Sequence, residues 1–503
     1  MNARTLTLLI PIVVACESAT AQVPVLLKDI NPSGNSNPGL FTCVGDMVYF
    51  SATDGVNGME LWKTDGSEAG TLMVKDINPG TGSSAPRDLM LMNGVLHFIA
   101  TGAGMEPELW RTDGTEAGTQ LVLSRTDVPG LLEWITFVAF PDSGPGGSDR
   151  IFFRGYDADH GRELWSTDGT PAGTLLFLDI NPGTANSSFQ DPMAHDGMLY
   201  FTANDGLTGS EPWMSDGTVA GTHLIAETIA GPASSGTSPS NYRAAGGLIF
   251  FRAGTSATGD ELWATDGTVP GTGLVKDIYP GANSSLPSNL LEHNGQLHLR
   301  AFPTTGSSTA LIWQSDGTQS GTVSWNTFGY TNPDNFCSHD GALYVTALGT
   351  TTYRQLWRTD NTAPGTYEIP YPGSDVISPF SNAAPMLSCN GTLFFRANYL
   401  TSTGLELYVL NLTTGSEAHD SDGIRIYPIP ATDGVWIDLG EASDGNATVT
   451  IIDLQGRVIG SSPSLVAVGT GRFRVPLEGV APGTYLIHLK VGGKRWSKRI
   501  IKA

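Results

Sequence analysis

Two kinds of apolar run alternate along most of this chain, and each pair recurs with a period near 50 residues. The first kind reads MVYFSA (47–52), VLHFIA (95–100), RIFFRG (150–155), MLYFTA (198–203), LIFFRA (248–253), QLHLRA (296–301), ALYVTA (342–347) and TLFFRA (392–397). The second opens ELWKTDGSEAGTLMVKDINPG (60–80) and returns from Glu108, Glu163, Glu211 and Glu261, then more weakly from Leu311, Gln355 and Glu406. Its anchoring aromatics are Trp62, Trp110, Trp165, Trp213, Trp263, Trp313, Trp357 and Tyr408. The runs are continuously apolar, which predicts strands covered on both faces. Asn93-Gly94, Asp196-Gly197, Asn294-Gly295, Asp340-Gly341 and Asn390-Gly391 precede first-kind runs. Such pairs tolerate positive φ at both turn positions, as a tight hairpin requires. A shorter run, DLMLM (88–92) or SNLLEH (288–293), stands before the turn. One period therefore predicts strand a, tight turn, strand b, loop, strand c (ELW), a DGT turn and strand d. Four-stranded sheets repeated at this spacing predict an all-β fold, a β-propeller.

Eight b strands and eight c strands occur, but only seven d strands follow their own c strand. The eighth is supplied by VPVLLKDINPSG (23–34), at the other end of the chain. An N-terminal strand completing the last blade removes the open edge of the ring. Eight blades account for every copy; seven blades with one detached unit would leave half a blade over.

The chain has 503 residues and a net charge of −22, while residues 424–503 carry 10 Lys and Arg against 6 Asp and Glu. The body is thus strongly acidic, which excludes a phosphate backbone as partner. No run is long enough to predict a transmembrane helix. Residues 1–21 read as a signal peptide. Arg4 is followed by apolar Leu6–Ala15 and by Ala19-Thr20-Ala21, which places cleavage between Ala21 and Gln22. Val13-Val14-Ala15-Cys16 offers the alternative of a lipidated Cys16. Beyond it stand Cys43, Cys337 and Cys389, each in a strand a. A Cys43–Cys389 disulfide would staple the closure, but inner strands of adjacent blades are expected to lie too far apart. Free buried thiols are the expectation.

Residues 413–423 form a polar linker, and 424–503 break into short strands that predict a small β-sandwich. YPIPATDGVWIDL, TVTIIDLQGRVI, LEGVAPGTYLIHLKVGG and the basic KRIIKA resemble the type A C-terminal sorting domain of type IX secretion in Bacteroidota. Ile429 departs from the Asn usual between the two prolines. The resemblance implies export by the type IX machinery, removal of the module, and release or attachment at the outer surface. The repeats, over about residues 23–410 of a propeller domain placed at 22–412, resemble the ELWxxDGT repeat family, which brings a propeller-like expectation and no activity.

A residue repeated in six blades serves the fold, so the Glu series, with Leu311 and Gln355 in the other two blades, reads as structural, and the Trp series as filler between blades. Exposed, sugar-stacking indoles are the alternative. In the DGT turns, beginning at Asp65, Asp113, Asp168, Asp216, Asp266 and Asp316, Asp is expected to bind amides two residues on. Calcium at these turns or at the DINPG loops is the competing reading; otherwise no cofactor or metal is expected. His195, His293 and His339 lie in different blades, too dispersed for one metal. The segment 131–150, with Trp134 and two phenylalanines, reads as a blade 3 insertion, either a surface loop or part of a binding face. No catalytic residue emerges. A monomeric secreted propeller binding a carbohydrate or protein is favoured. An extracellular hydrolase or lyase on polysaccharide or peptide, with its site in the channel, is the alternative, and a structural matrix component is the third class.

Overall fold

The computed structural model describes residues 23–411 apart from 93, 105, 132, 141–148, 230, 232–237, 304–308, 350–352, 371–384 and 400–402, together with strands between 425 and 502. The signal segment with Ala21 and Gln22, Cys16 and the linker 413–423 lie outside the described residues. The chain divides into two compact units, one spanning Pro24–Leu410 and the other containing Asn411–Ala503.

The first unit is a ring of eight four-stranded antiparallel blades. In blade 1, strand a is Gly39–Val44, b Met47–Thr53, c Met59–Thr64 and d Leu72–Lys75. The remaining a strands are Arg87–Met92, Glu133–Phe140, Gln190–His195, Ser240–Ala245, Ser288–His293, Thr331–His339 and Met386–Cys389. Each a strand approaches the a strands of the blades beside it, so these strands surround the axis. The Asn-Gly and Asp-Gly turns adopt the expected geometry: Asn294 and Gly295 have φ 53° and 80°, Asp340 and Gly341 46° and 68°.

Blade 8 is completed from the other end of the chain. Val25–Lys28 pairs with Glu406–Asn411, bringing Val25 opposite Val409 and Leu26 opposite Tyr408. The d-strand bookkeeping of the sequence is met, and the eighth blade has no missing strand.

The anchor aromatics fill the seams. Trp62 lies opposite Phe50 on strand b and packs with Leu27 and Leu407 of blade 8. Trp213 packs against Ile180 and Leu164 of blade 3, and Trp313 against Val275 and Leu262 of blade 5. Trp62, Trp165, Trp213, Trp263, Trp313 and Trp357 each bury an indole N–H with no hydrogen-bond partner. An indole stacked on a ligand would be exposed; Trp62 is only 6% exposed and Trp357 7%. These rings are core, and truncating one to alanine should cost about 3–5 kcal/mol.

Two expectations are corrected here. Cys43 and Cys389 are bonded to each other, with a Cα separation of 5.9 Å, and among the described residues Cys337 is the one free thiol, buried. Because the a strands converge on the axis, neighbouring blades come closer there than strands at the rim do. The 131–150 segment is also not a surface insertion throughout. Glu133–Phe140 is strand a of blade 3, pairing with Arg150–Asp157. Trp134, Phe137 and Phe140 are buried, and Trp134 meets Phe137 and Phe153 edge-on. Burial of three aromatics decides its place in the sheet.

In the second unit, Arg425–Tyr427, Gly434–Asp438 and Arg472–Pro476 form one antiparallel sheet. Ala447–Asp453, Val458–Leu465, Gly483–Val491 and Lys494–Lys502 form another. Val449, Ile451, Val475, Leu477 and Ile487 are buried within it.

Candidate functional site in the propeller channel

The repeated glutamates are consumed by the scaffold. Glu60, fully buried at the start of strand c, accepts hydrogen bonds from Ile77 N (3.1 Å), Ser84 N (2.9 Å) and Ser84 Oγ (2.5 Å) on the connector into blade 2. Glu261 repeats this with Ile278 N and Ser285, and Glu406 with Ile30 N and Ser36, across the closure. Strand b leaves room by placing Ala52 and Ala253 opposite Glu60 and Glu261. Burial pushes the carboxyl groups of Glu163, Glu261 and Glu406 up to about 7 against the donors that pull them down. Glu108 is only half-buried. Its blade exits instead through the 3-10 turn Arg125–Asp127, where Asp127 accepts from Ser124 N at 2.8 Å.

The DGT turns behave as the sequence indicates. Asp65 Oδ1 accepts from Ser67 N (2.9 Å) and Ser67 Oγ (2.6 Å), and Asp113, Asp168, Asp216, Asp266 and Asp316 repeat the pattern on threonines. Gly66 takes φ 88°, and a Cβ on Gly70 would lie 2.1 Å from Asp65 Oδ1, which explains both glycines. In blade 7, Asn361 adopts φ 64° in place of the first glycine. The hydroxyl and amide of Thr115 hold Asp113 below its ordinary carboxylate range.

The histidines are separated, as expected, and two of them tie blades together. His293 Nδ1 meets Ser338 Oγ of the next blade at 2.7 Å, and His339 Nδ1 meets Ser388 Oγ at 2.8 Å. His195 is exposed beside Asp196.

What remains is the channel wall. Strand a carries a β-bulge in each of blades 1 to 7, marked by positive φ at Leu40, Asp88, Thr136, Asp191, Asn241, Asn289 and Asn335. A bulge re-aims side chains, and Asn and Asp accept left-handed geometry most readily. The bulges also interlock: the amide of Asn241 donates to Asp191 of the preceding blade, and Asn289 Nδ2 donates to Asp334 Oδ1 of the next. Burial raises the carboxyl groups of Asp88 and Asp191, opposed by Arg87 and Arg252 respectively.

A pocket of about 270 Å³ opens on this wall between blades 5 and 8. Arg243, Asn289, Leu290, Leu291, Asn335, Phe336, Pro385 and Met386 line it. None was singled out from sequence, because strand a is the least repetitive part of each period; Asn289 and Asn335 share the bulge position with Asn241. Apolar side chains, two amides and one guanidinium suit binding of a small polar-ended ligand. Among the described residues, no cluster of three or more His, Cys, Asp or Glu is placed to hold a metal.

The chain thus joins an eight-bladed propeller to a separate C-terminal module, and comparison with known proteins defines the module. Residues 425–503 match the family described as the secretion system C-terminal sorting domain. This tail marks the protein for type IX secretion, to the cell surface or the extracellular space. No curated protein matches the sequence. Among solved structures, a prolyl endopeptidase is similar at 12% identity and TM-score 0.45, over 74% of this chain and 56% of that one. A puromycin hydrolase is similar at 13% and 0.39, over 84% and 62%. An uncharacterized protein from Listeria monocytogenes EGD-e is similar at 11% and 0.38, over 67% and 96%. The chain spans little more than half the length of the first two, and likeness at this level brings no activity with it. Among the described residues, no helix is long and apolar enough to cross a membrane.

Proposed function

We propose that this protein is a non-enzymatic ligand-binding or surface-interaction propeller of ELWxxDGT repeats, delivered by type IX secretion, with its ligand site in the channel. One observation carries the reading. The chemistry-bearing residues of the ELW and DGT repeats are spent on connectors, turns and seams, whereas the pocket lies on strand a, the least repetitive part of each blade. A scaffold repeats what folding needs and varies what recognition needs. In this reading the DGT turns carry no resident calcium, and the ligand is a carbohydrate or a protein segment. The test incubates the purified chain with polysaccharide, glycoside and peptide panels while glycan and protein arrays follow binding. Binding without turnover is expected. Turnover abolished by replacing one channel carboxylate, Asp88, Asp191 or Asp334, would establish the hydrolase or lyase alternative instead.

A further inference from the structure

Arg243 is out of character with its position. It pairs with Phe250 on strand b, and at the same register the other blades carry Thr42, Met90, Val138, Met193, Leu291, Cys337 and Leu387. A cation therefore stands in blade 5 where the other seven blades carry an uncharged residue, in a strongly acidic protein. The side chain is exposed on the pocket wall, and no ion pair or side-chain hydrogen bond to it exists among the described residues. Arg354 and Arg162, by contrast, meet carboxylates, Asp334 at 3.8 Å and Glu133 at 2.7 Å. An unpaired guanidinium beside a pocket is a fork of donors awaiting a carboxylate.

The other walls narrow the ligand further. Asn289 Nδ2 is committed to Asp334, and Asn335 Nδ2 donates to Thr346 Oγ1 at 2.9 Å. Both amides therefore keep an oxygen to accept an N–H. Leu290, Leu291, Phe336, Pro385 and Met386 supply apolar surface and little further hydrogen bonding. The volume lies just below the range of roughly 300–1,000 Å³ usual for small-molecule sites, so one or two amino-acid residues fill it. A sugar acid would satisfy the arginine but leave its ring of hydroxyls against hydrocarbon.

Building on the binding reading above, we infer that the channel pocket captures the C-terminal end of a peptide. Its carboxylate meets Arg243, its last amide N–H faces Asn289 or Asn335, and an apolar last side chain sits against Phe336 and Met386. Capture of a chain terminus is a recurring recognition mode.

Ligand-detected NMR titration of the full chain with N-acetyl-Ala-Leu and N-acetyl-Ala-Leu-amide tests this. For so small a ligand, a Kd on the order of 1 mM is expected for the acid. The amide should bind at least tenfold more weakly. Arg243→Gln should remove that preference, Arg243→Lys retain part of it, and Met386→Trp abolish binding of both. Equal affinity for acid and amide would overturn the inference, as would an unchanged preference in Arg243→Gln. So would no binding of the acid at 10-fold the expected Kd by a chain that melts normally. Array ligands displaced by Met386→Trp in that last case would leave the channel as a binding site and remove only its peptide assignment.

Discussion

Cys389, the residue before the a–b turn of blade 8, is bonded to Cys43, which stands one residue earlier than the matching position in blade 1. His293 and Ser338 hold the same two places in blades 6 and 7, and His339 and Ser388 hold them in blades 7 and 8. The disulfide thus occupies a slot that other seams fill with a hydrogen bond. It differs in bridging the first blade and the last, where 346 residues separate the two cysteines.

Cys43→Ser or Cys389→Ser should destabilise the propeller by about 2–5 kcal/mol. The shift should equal the drop that a reductant causes in the unmodified chain, measured by thermal unfolding. Cys337→Ser, which keeps the Cys43–Cys389 bond, should show the same reductant-induced drop as the unmodified chain. A variant lacking residues 22–34 should fare worse than either, aggregating or melting far lower, since it removes the strand as well as Ile30 from the Glu406 clamp.

Stability should fall as pH rises across neutrality. The carboxyl groups of Glu163, Glu261 and Glu406 sit at about 7 in the folded chain against 4.5 ordinarily, so folding favours the protonated form. Their stabilisation is whole below about 4.5 and is lost as pH passes through about 7. Melting temperature between pH 5 and 8.5 should decline, and replacing all three with Gln should flatten that slope while lowering the whole curve. An unchanged slope in the triple variant would assign the effect to other groups.

Truncation after Thr414 should leave the propeller folded but retained in the periplasm of a host carrying the type IX machinery. The tail that matches the sorting domain begins at residue 425. Cell fractionation and surface proteolysis distinguish retention from delivery.

Chelation should leave the melting temperature unchanged. Asp65 Oδ1 and its five counterparts are occupied by N–H and O–H donors from their own turns. A clear loss of stability in EDTA, restored by calcium, would reassign the turns or the DINPG loops to a cation site.

Most of the propeller was legible because its signals repeat. Asn-Gly turns, the Glu and Trp positions, and the d strand at 23–34 each recur often enough to be recognised against chance. The disulfide was obscured by distance along the chain, and by an expectation that ignored how closely strands approach at the axis. Strand a of blade 3 was obscured because Phe137 looks anomalous beside Leu89 and Pro192, although all three follow the bulge residue of their strand a. The pocket was illegible for a deeper reason. Arg243, Asn335 and Met386 come from separate blades and meet only when the ring curves them together.

The strand that finishes blade 8 is the first part of the propeller to be synthesised, and its partner, Glu406–Asn411, is the last. No portion of the chain short of residue 411 can therefore make a closed ring, whatever local blades it forms. Pairing so remote in sequence is slow to find. A reducing compartment withholds the disulfide latch as well. The same seam that makes the finished protein hard to open keeps the unfinished one from shutting. A chain bound for export gains from that delay, because an unclosed ring is still a chain that can be threaded.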